Sequence, residues 1–355
     1  MKVLSIVGAR PQFVKLAPIA HALQRAGHDH VIVHTGQHYD ANMSEVFFAD
    51  LGIPTPDVHL GVGSGSHGVQ TGTMLAGLDP ILLDHDPDWV LVYGDTNSTI
   101  AGALAAVKLH LPLAHLEAGL RSFNRRMPEE HNRVLTDHAA DLCLAPTEVA
   151  RGHLAAEGLS NRTVVTGDVM TDVCLATAAR VRDTAPELPP GLAPGAYILA
   201  TIHRAENTDD PARLADIVAG LASLPHPVLL TAHPRLVAKA AEHGIDLGHG
   251  SLHTVAPLDY PAMVAAIVHA RAVVTDSGGL QKEAFLLRTP CTTVRTETEW
   301  TETLDLGWNV LVTDLTQLPP AVDRPAPAPT DAAPYGDGKA ADRTVAALVA
   351  HQHDR

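Results

Sequence analysis

Five apolar runs in the chain each stop at a residue that can carry charge or move a proton. WVLVY (89–93) is followed by Gly94 and Asp95, and PLAHL (112–116) by Glu117, with Arg121 close behind. YILAT (197–201) leads to His203 and Arg204, and PVLLT (227–231) to His233 and Arg235. AVVTD (272–276) leads to Ser277, Gly278 and Gly279, with Glu283 further along. Ligands of open parallel sheets bind beyond the carboxyl ends of the strands, so chemistry is expected at these positions. Clustered carboxylates cost stability unless cations or chemistry accompany them, and here cations accompany them. Taken singly, Asp95 or Ser277 reads as a helix cap. Taken together, the set reads as a site.

Three segments make the chemistry more definite. In DSGGLQKEA the small residues admit a ligand to the backbone, and the first turn of the following helix offers free N–H groups to a phosphate. Glu283 suits ribose hydroxyls better than phosphate. GARPQFVK (8–15) follows the run VLSIV, but it carries Arg10 and Lys15 where a dinucleotide-binding loop carries glycines. Its anion is held by side-chain charge. In NRRMPEEHNR (124–133), Pro128 suits a first helical turn. Glu129 and Glu130 then lie where the helix dipole favours an ionised carboxylate, the form a general base needs. Acidic residues in a first turn are also ordinary capping chemistry, so pattern alone leaves Glu129 open between the two roles. GVGSGSHG (61–68) has the glycines of a phosphate loop but no suitable strand before it, and is expected to be a mobile loop.

The elements that must position these residues alternate between short apolar runs and helical patterns, the signature of βα units and a parallel sheet. Strands are expected at 3–7, 30–34, 89–93, 112–116 and 163–167, and again at 197–201, 227–231, 272–276 and 291–294. TAPELPPGLAPGAY (184–197) has no periodicity and reads as a linker. LPPAVDRPAPAPTDAAP (318–334) precedes a final helix from about Lys339 to Ala350. The expected fold class is α/β, with two doubly wound Rossmann-like domains facing across a cleft. The expected boundaries are 1–180 for the N-terminal domain, 181–196 for the linker, 197–334 for the C-terminal domain and 335–355 for the last helix.

Composition narrows the partners. A chain of 355 residues with 46% hydrophobic content can bury a large core. A formal net charge of −15 argues against nucleic acid, and leaves room for one small anion. Cys143, Cys174 and Cys291 are far apart and odd in number, as buried thiols in a reducing compartment are. There are 22 histidines but no His-Glu-x-x-His, and His203 and His233 lack ligand spacing, so no metal is expected. No run approaches ~18 apolar residues and the N-terminal run is too short for a signal peptide. A cytoplasmic protein that does not bind membranes is expected.

The segments GARPQFVKLAP, TGQHYDANMS, VYGDTNST, HLEAGLRS, MPEEHNR, TIHRAEN, DSGGLQKEA, TETEWTET and YGDGKA occur in that order between Met1 and Ala350. In this the chain resembles the non-hydrolysing UDP-N-acetylglucosamine 2-epimerase family. The resemblance implies the glycosyltransferase-B arrangement, with the last helix packing back on the N-terminal domain. It also implies interconversion of UDP-GlcNAc and UDP-ManNAc, by elimination of UDP to 2-acetamidoglucal and re-addition, with no cofactor. By position, Asp95, Glu117 and Glu129 match the catalytic carboxylates, and His203 the histidine that assists the leaving diphosphate. Arg10, Lys15, Arg133, Arg204, Leu258, Met263, Ser277, Gly278, Gly279 and Glu283 match UDP-sugar-binding positions. Gln37, His38, Gln70 and His233 match positions where some members hold an activating UDP-GlcNAc. A homodimer is implied as well.

The chain departs from the family pattern in places. Gln12 stands where many members have Glu, and Trp300 where they have Arg. Leu258 and Met263 replace a polar and an aromatic residue. Gln12, Tyr39 and RSFNRRMPEE fit a subgroup that includes epimerases of modified UDP-2-acetamido sugars, such as diacetamido uronic acids or deoxy sugars. Other readings are a UDP-sugar glycosyltransferase, a hydrolysing epimerase, or a UDP-sugar-binding protein without activity. The last predicts damage among the catalytic matches, and Asp95, Glu117, Glu129 and His203 are all present.

Overall fold

The computed structural model describes residues 1–37 and 53–352. His38 and Tyr39, with most of the segment TGQHYDANMS, lie outside the described residues, and so does the side chain of Arg10. The chain forms two compact units, Met1–Val173 with Ala333–Arg355, and Cys174–Ala332.

The first unit is built on a seven-stranded sheet. Its strands are β1 (Lys2–Val7), β2 (Asp29–His34), β3 (Val58–His59), β4 (Trp89–Tyr93), β5 (Leu113–Leu116), β6 (Leu142–Ala145) and β7 (Thr163–Val165). They pair in the order β3-β2-β1-β4-β5-β6-β7, every pair parallel. A parallel sheet must be covered on both faces, and alternation along β1 does this. Val3 and Val7 pack with Phe13, Leu16 and Leu23 of the helix Arg10–Arg25 and with Val345 and Leu348 of the helix Ala340–His351. Leu4 and Ile6 pack the other way, onto Met74, Leu78 and Leu82 of the helix His67–His85 and the alanines of the helix Asn97–Lys108. Each such aliphatic side chain contributes about 1.5–3 kcal/mol by burial. The last helix is tied down by Trp89 Nε1, which donates to the Leu348 carbonyl at 3.1 Å. Asp172 caps its start, accepting from the Ala340 and Ala341 amides at 3.0 and 2.8 Å.

The second unit has six parallel strands, β8 (Ile198–Thr201), β9 (Val228–Thr231), β10 (Leu252–Val255), β11 (Ala272–Thr275), β12 (Cys291–Thr293) and β13 (Asn309–Leu311), ordered β10-β9-β8-β11-β12-β13. Ile198, Ala200 and Leu230 face one helical layer, and Leu199, Leu229 and Val273 the other. The α/β class and the doubly wound sheets therefore hold. Strand order reverses between β1 and β4 in one sheet and between β8 and β11 in the other, the places where such sheets bind ligands.

Three local expectations need correction. β3, β6, β10 and β13 were not expected from the sequence, and pairing with β2, with β5 and β7, with β9 and with β12 draws them into the sheets. GVGSGSHG is loop only as far as Ser66, for His67 opens a 19-residue helix. The stretch 318–334 begins with a short helix, Leu318–Val322, whose Leu318 and Val322 plug the core.

Candidate active site

In the first unit the turns that follow β4 and β5 and the first turns of two helices gather the charged residues. Lys15 extends from the helix Arg10–Arg25 to an ion pair with Glu117, both largely buried. Burial opposes the Lys15 charge. Glu117, by charge and hydrogen bond, together with Asp95 and Asp168, outweighs it and raises the lysine's pKa. Lys15 is thus a fixed cation paired with Glu117. Asp95 is paired with Arg133, whose other arm reaches Glu130 at 2.6 Å. Glu129 lies in the first turn of the helix Pro128–Ala139, half-buried, with no ion pair or hydrogen bond among the described residues.

The backbone here is constrained. Glu117 has φ +68° and Gly94 φ +62°. For a non-glycine residue that conformation costs roughly 1–3 kcal/mol and survives only where the surroundings impose it. A side chain on Gly94 would also meet Glu117 Oε2 and Lys15 Nζ, each 3.4 Å from where its Cβ would stand. The positive φ is what favours glycine at this turn.

Glu130 is the residue that the sequence left in the shadow of its neighbour. It is buried and accepts from the Ser122 amide and hydroxyl at 2.9 and 2.8 Å and from the Phe123 amide at 2.9 Å. Burial pushes its pKa up, but these donors and Arg133 outweigh that and lower it. Glu130 therefore folds the 122–127 loop back onto the helix, leaving Glu129 as the available acid of the pair. Gln37 and Gln70 are buried cross-links. Gln37 Oε1 accepts from the Ser98 amide and hydroxyl at 2.9 and 2.7 Å, and Gln70 Nε2 donates to the Gly63 carbonyl at 2.7 Å.

The second unit gathers its own set around Asp276, which is fully buried at the end of β11. Its carboxylate accepts from the His203 and Arg204 amides at 3.1 and 2.9 Å and from Asn207 Nδ2 at 3.1 Å, and lies 3.2 Å from His203 Nδ1. Burial raises the Asp276 pKa, but the His203 hydrogen bond and the other donors outweigh it and lower the value. An ionised Asp276 fixes the His203 ring and leaves Nε2 for a ligand, the orienting role familiar in catalytic histidines. The His203 and His233 rings are 5.5 Å apart, and His233 Nδ1 caps the helix Pro234–His243.

Ser277 precedes the helix Gly278–Leu286 without capping it through its side chain, so the first-turn N–H groups stay available to an anion. Glu299 presses against Gly278 there, held by Arg295 at 2.9 Å with Arg204 Nη2 at 4.0 Å. Lys282 Nζ sits 4.6 Å from the Trp300 ring centroid. Leu258 and Met263 border the apolar cluster of Leu199, Ile267 and Leu280. Arg295 and Glu299 were not singled out by the sequence, and Asp276 was read there only as a residue delivered at a strand end. Asp276 immediately precedes the SGG turn, and that adjacency was the available signal.

A doubly wound α/β protein with carboxylates paired to cations at one switch point, and an oriented histidine beside a glycine-rich helix start at the other, has the parts of a nucleotide-sugar enzyme. The family model for UDP-N-acetylglucosamine 2-epimerase matches residues 21–349, and the chain belongs to that family. It is 49% identical over 320 residues, 88% of each chain, to the UDP-2,3-diacetamido-2,3-dideoxy-D-glucuronate 2-epimerase of Pseudomonas aeruginosa. It is 39% identical to the UDP-N-acetylglucosamine 2-epimerase of Methanocaldococcus jannaschii, over 98% of this chain and 99% of that one. The crystal structure of the Methanocaldococcus jannaschii UDP-GlcNAc 2-epimerase with UDP-GlcNAc and UDP matches with a TM-score of 0.80 at 38% identity, covering 99% of this chain and 100% of that one.

Proposed function

We propose that this chain interconverts UDP-GlcNAc and UDP-ManNAc without hydrolysis. The observation that carries this is the set of Asp95 and Glu117, each in an ion pair with a cation, with Glu129 unpaired among the described residues in a helix first turn. A carboxylate of this set takes the C2 proton. The C1–O bond breaks with its electron pair leaving on the UDP β-phosphate, and C1=C2 forms in 2-acetamidoglucal. UDP then adds back at C1 and a proton returns to the opposite face of C2, so neither water nor a redox partner is consumed. His203, oriented by Asp276, serves the departing diphosphate, which the Gly278 and Gly279 amides bind. Arg133 pairs with Asp95 and orients it, and Arg204 and Glu283 complete the nucleotide contacts. A cytoplasmic homodimer, with activation by a second UDP-sugar through Gln37, His38, Gln70 and His233, belongs to the same proposal. Among the described residues no helix is long and apolar enough to cross a membrane.

The test is positional isotope exchange with UDP-GlcNAc carrying ¹⁸O at the anomeric bridge. Migration of label to non-bridging β-phosphate oxygens is expected, because the freed phosphate rotates before it re-adds. Epimerisation with the label fixed in the bridge would contradict C1–O cleavage.

A second reading is favoured by one feature. An open cavity of about 690 Å³ in the first unit is lined by His67, Arg125, Arg126 and His131, beside Asn132, which donates to the Asp95 carbonyl at 2.9 Å. Such cations suit a sugar carboxylate, as in a UDP-diacetamido uronic acid. Neutralising Arg125 and Arg126 would then lower turnover of the uronate and spare UDP-GlcNAc. Equal loss on both substrates would count against it.

A further inference from the structure

Beneath the first unit's carboxylates lies a charged cluster that no step above uses. His115, in β5, is fully buried. Its Nδ1 lies 2.6 Å from Asp137 Oδ1 and its Nε2 2.7 Å from the Gly94 carbonyl oxygen. Asp137 Oδ2 also accepts from the Gly119 amide at 3.0 Å and lies 2.7 Å from Arg121 Nη1. Arg121 turns its Nε and Nη2 to Glu157, each at 2.8 Å. The cluster therefore grips both turns that carry the proposed bases. Gly94 directly precedes Asp95, and the residues held by Asp137, His115 and Gly119, bracket Glu117 with its φ of +68°.

Resting on the epimerase reading, we propose that His115 is a positioning residue, an imidazolium donating from both ring nitrogens, which locks the Asp95 and Glu117 turns in one register. A carbonyl and a carboxylate only accept hydrogen bonds, so the ring between them is fully satisfied only when both nitrogens carry protons. Charge gives the same answer. Arg121 alone meets two carboxylates, Asp137 at 2.7 Å and Glu157 at 2.8 Å, so a second positive charge is needed to balance the cluster. The other ionisable neighbours do not supply one. Cys143 donates to the Asp137 carbonyl at 3.5 Å, and His138 faces Glu157 at 3.1 Å. Asp137 itself is kept ionised: burial opposes this, but His115 and Arg121 outweigh it and lower its pKa.

The experiment is nitrogen NMR of the full chain labelled with ¹⁵N-histidine, beside steady-state kinetics of His115→Gln. The wild type is first shown to exchange the C2 proton, so that a lack of epimerase activity reflects on the function and not on His115. At pH 8.5 a free imidazole, with a pKa of ≈ 6.5, is neutral. One of the 22 histidines is expected to keep both ring nitrogens protonated there, and to lose that signal in H115Q and in Asp137→Asn. A misplaced base costs chemistry rather than binding, so H115Q is expected to lower kcat by ~10–100-fold with KM within about twofold. An unchanged kcat overturns the proposal. If H115Q does not fold, the wild-type spectrum decides, and the absence of any doubly protonated ring at pH 8.5 overturns it.

Discussion

Gln12 shows how tightly single residues are specified near the site. Its Oε1 accepts from the Gly8 and Ala9 amides at 2.8 and 3.0 Å, and its Nε2 donates to the Tyr93 carbonyl and Thr99 Oγ1 at 2.9 and 3.2 Å. The side chain is buried and every hydrogen-bonding position is used. Gln12→Glu would set a carboxylate oxygen against the Tyr93 carbonyl. The expected cost is about 1–3 kcal/mol, read as a lower urea midpoint at unchanged slope; an unchanged midpoint would refute this account of the amide. Asp276→Asn removes the charge that fixes His203, and kcat is expected to fall by ~10–100-fold with nucleotide affinity little altered. Equal loss in UDP binding would instead make Asp276 a ligand-shaping residue. Asp95, Glu117 and His203 were legible in sequence because each follows an apolar run at the place where a parallel sheet binds ligands. Asp276 and Glu130 were visible without their partners, and Asp137 was not visible at all. Their meaning lies in partners far along the chain or hidden behind an ordinary helix start, and a spacing rule carries no such information.

At the scale of elements, close contact between helix and sheet aims the catalytic turns. The helix Asn97–Lys108 begins two residues after Asp95, and a Cβ on its Gly102 would stand 2.8 Å from Ile6 Cδ1 and 3.0 Å from Val92 Cγ1. Gly102→Val is expected to cost about 1–3 kcal/mol by overpacking and to lower turnover, because the helix must shift and carry Asp95 with it. Thermal unfolding and a kinetic assay check both parts, and retained stability would show that the sheet can yield. Asp172→Ala removes the cap of the last helix, at an expected cost of about 1 kcal/mol, with faster amide exchange confined to the first turn of Ala340–His351. Exchange unchanged in that turn would count against the cap. The long central strands and this helix were legible from their periodicity. β3, β6, β10 and β13 were not, because pairing with neighbours, not their own residues, makes them strands.

For the whole molecule, two buried histidines couple folding to pH. Burial lowers the His30 and His34 pKa values to about 4, with His59 adding to the effect on His34. In the unfolded chain both titrate near ≈ 6.5. Between those values the unfolded state binds more protons, so stability falls as pH drops through this window, by up to about 1.4 kcal/mol per pH unit for each histidine. Asp137, Asp276 and Glu130 have lowered pKa values. Their stabilisation is present above the unfolded carboxylate range of ~4 and is lost as pH falls further. Urea midpoints from pH 6.5 to 4.5, where a charged His115 no longer gains on its unfolded form, should therefore decline, with a shallower slope in His30→Gln, and a flat profile would contradict a neutral state of these rings. The central claim concerns the bond at C2, and proton NMR of the protein with UDP-GlcNAc in deuterated water tests it most directly. The expected result is loss of the C2 proton signal to deuterium as the UDP-ManNAc anomeric signal grows. Epimer formed with its C2 proton retained, or protein that binds UDP but leaves UDP-GlcNAc unexchanged, would contradict it.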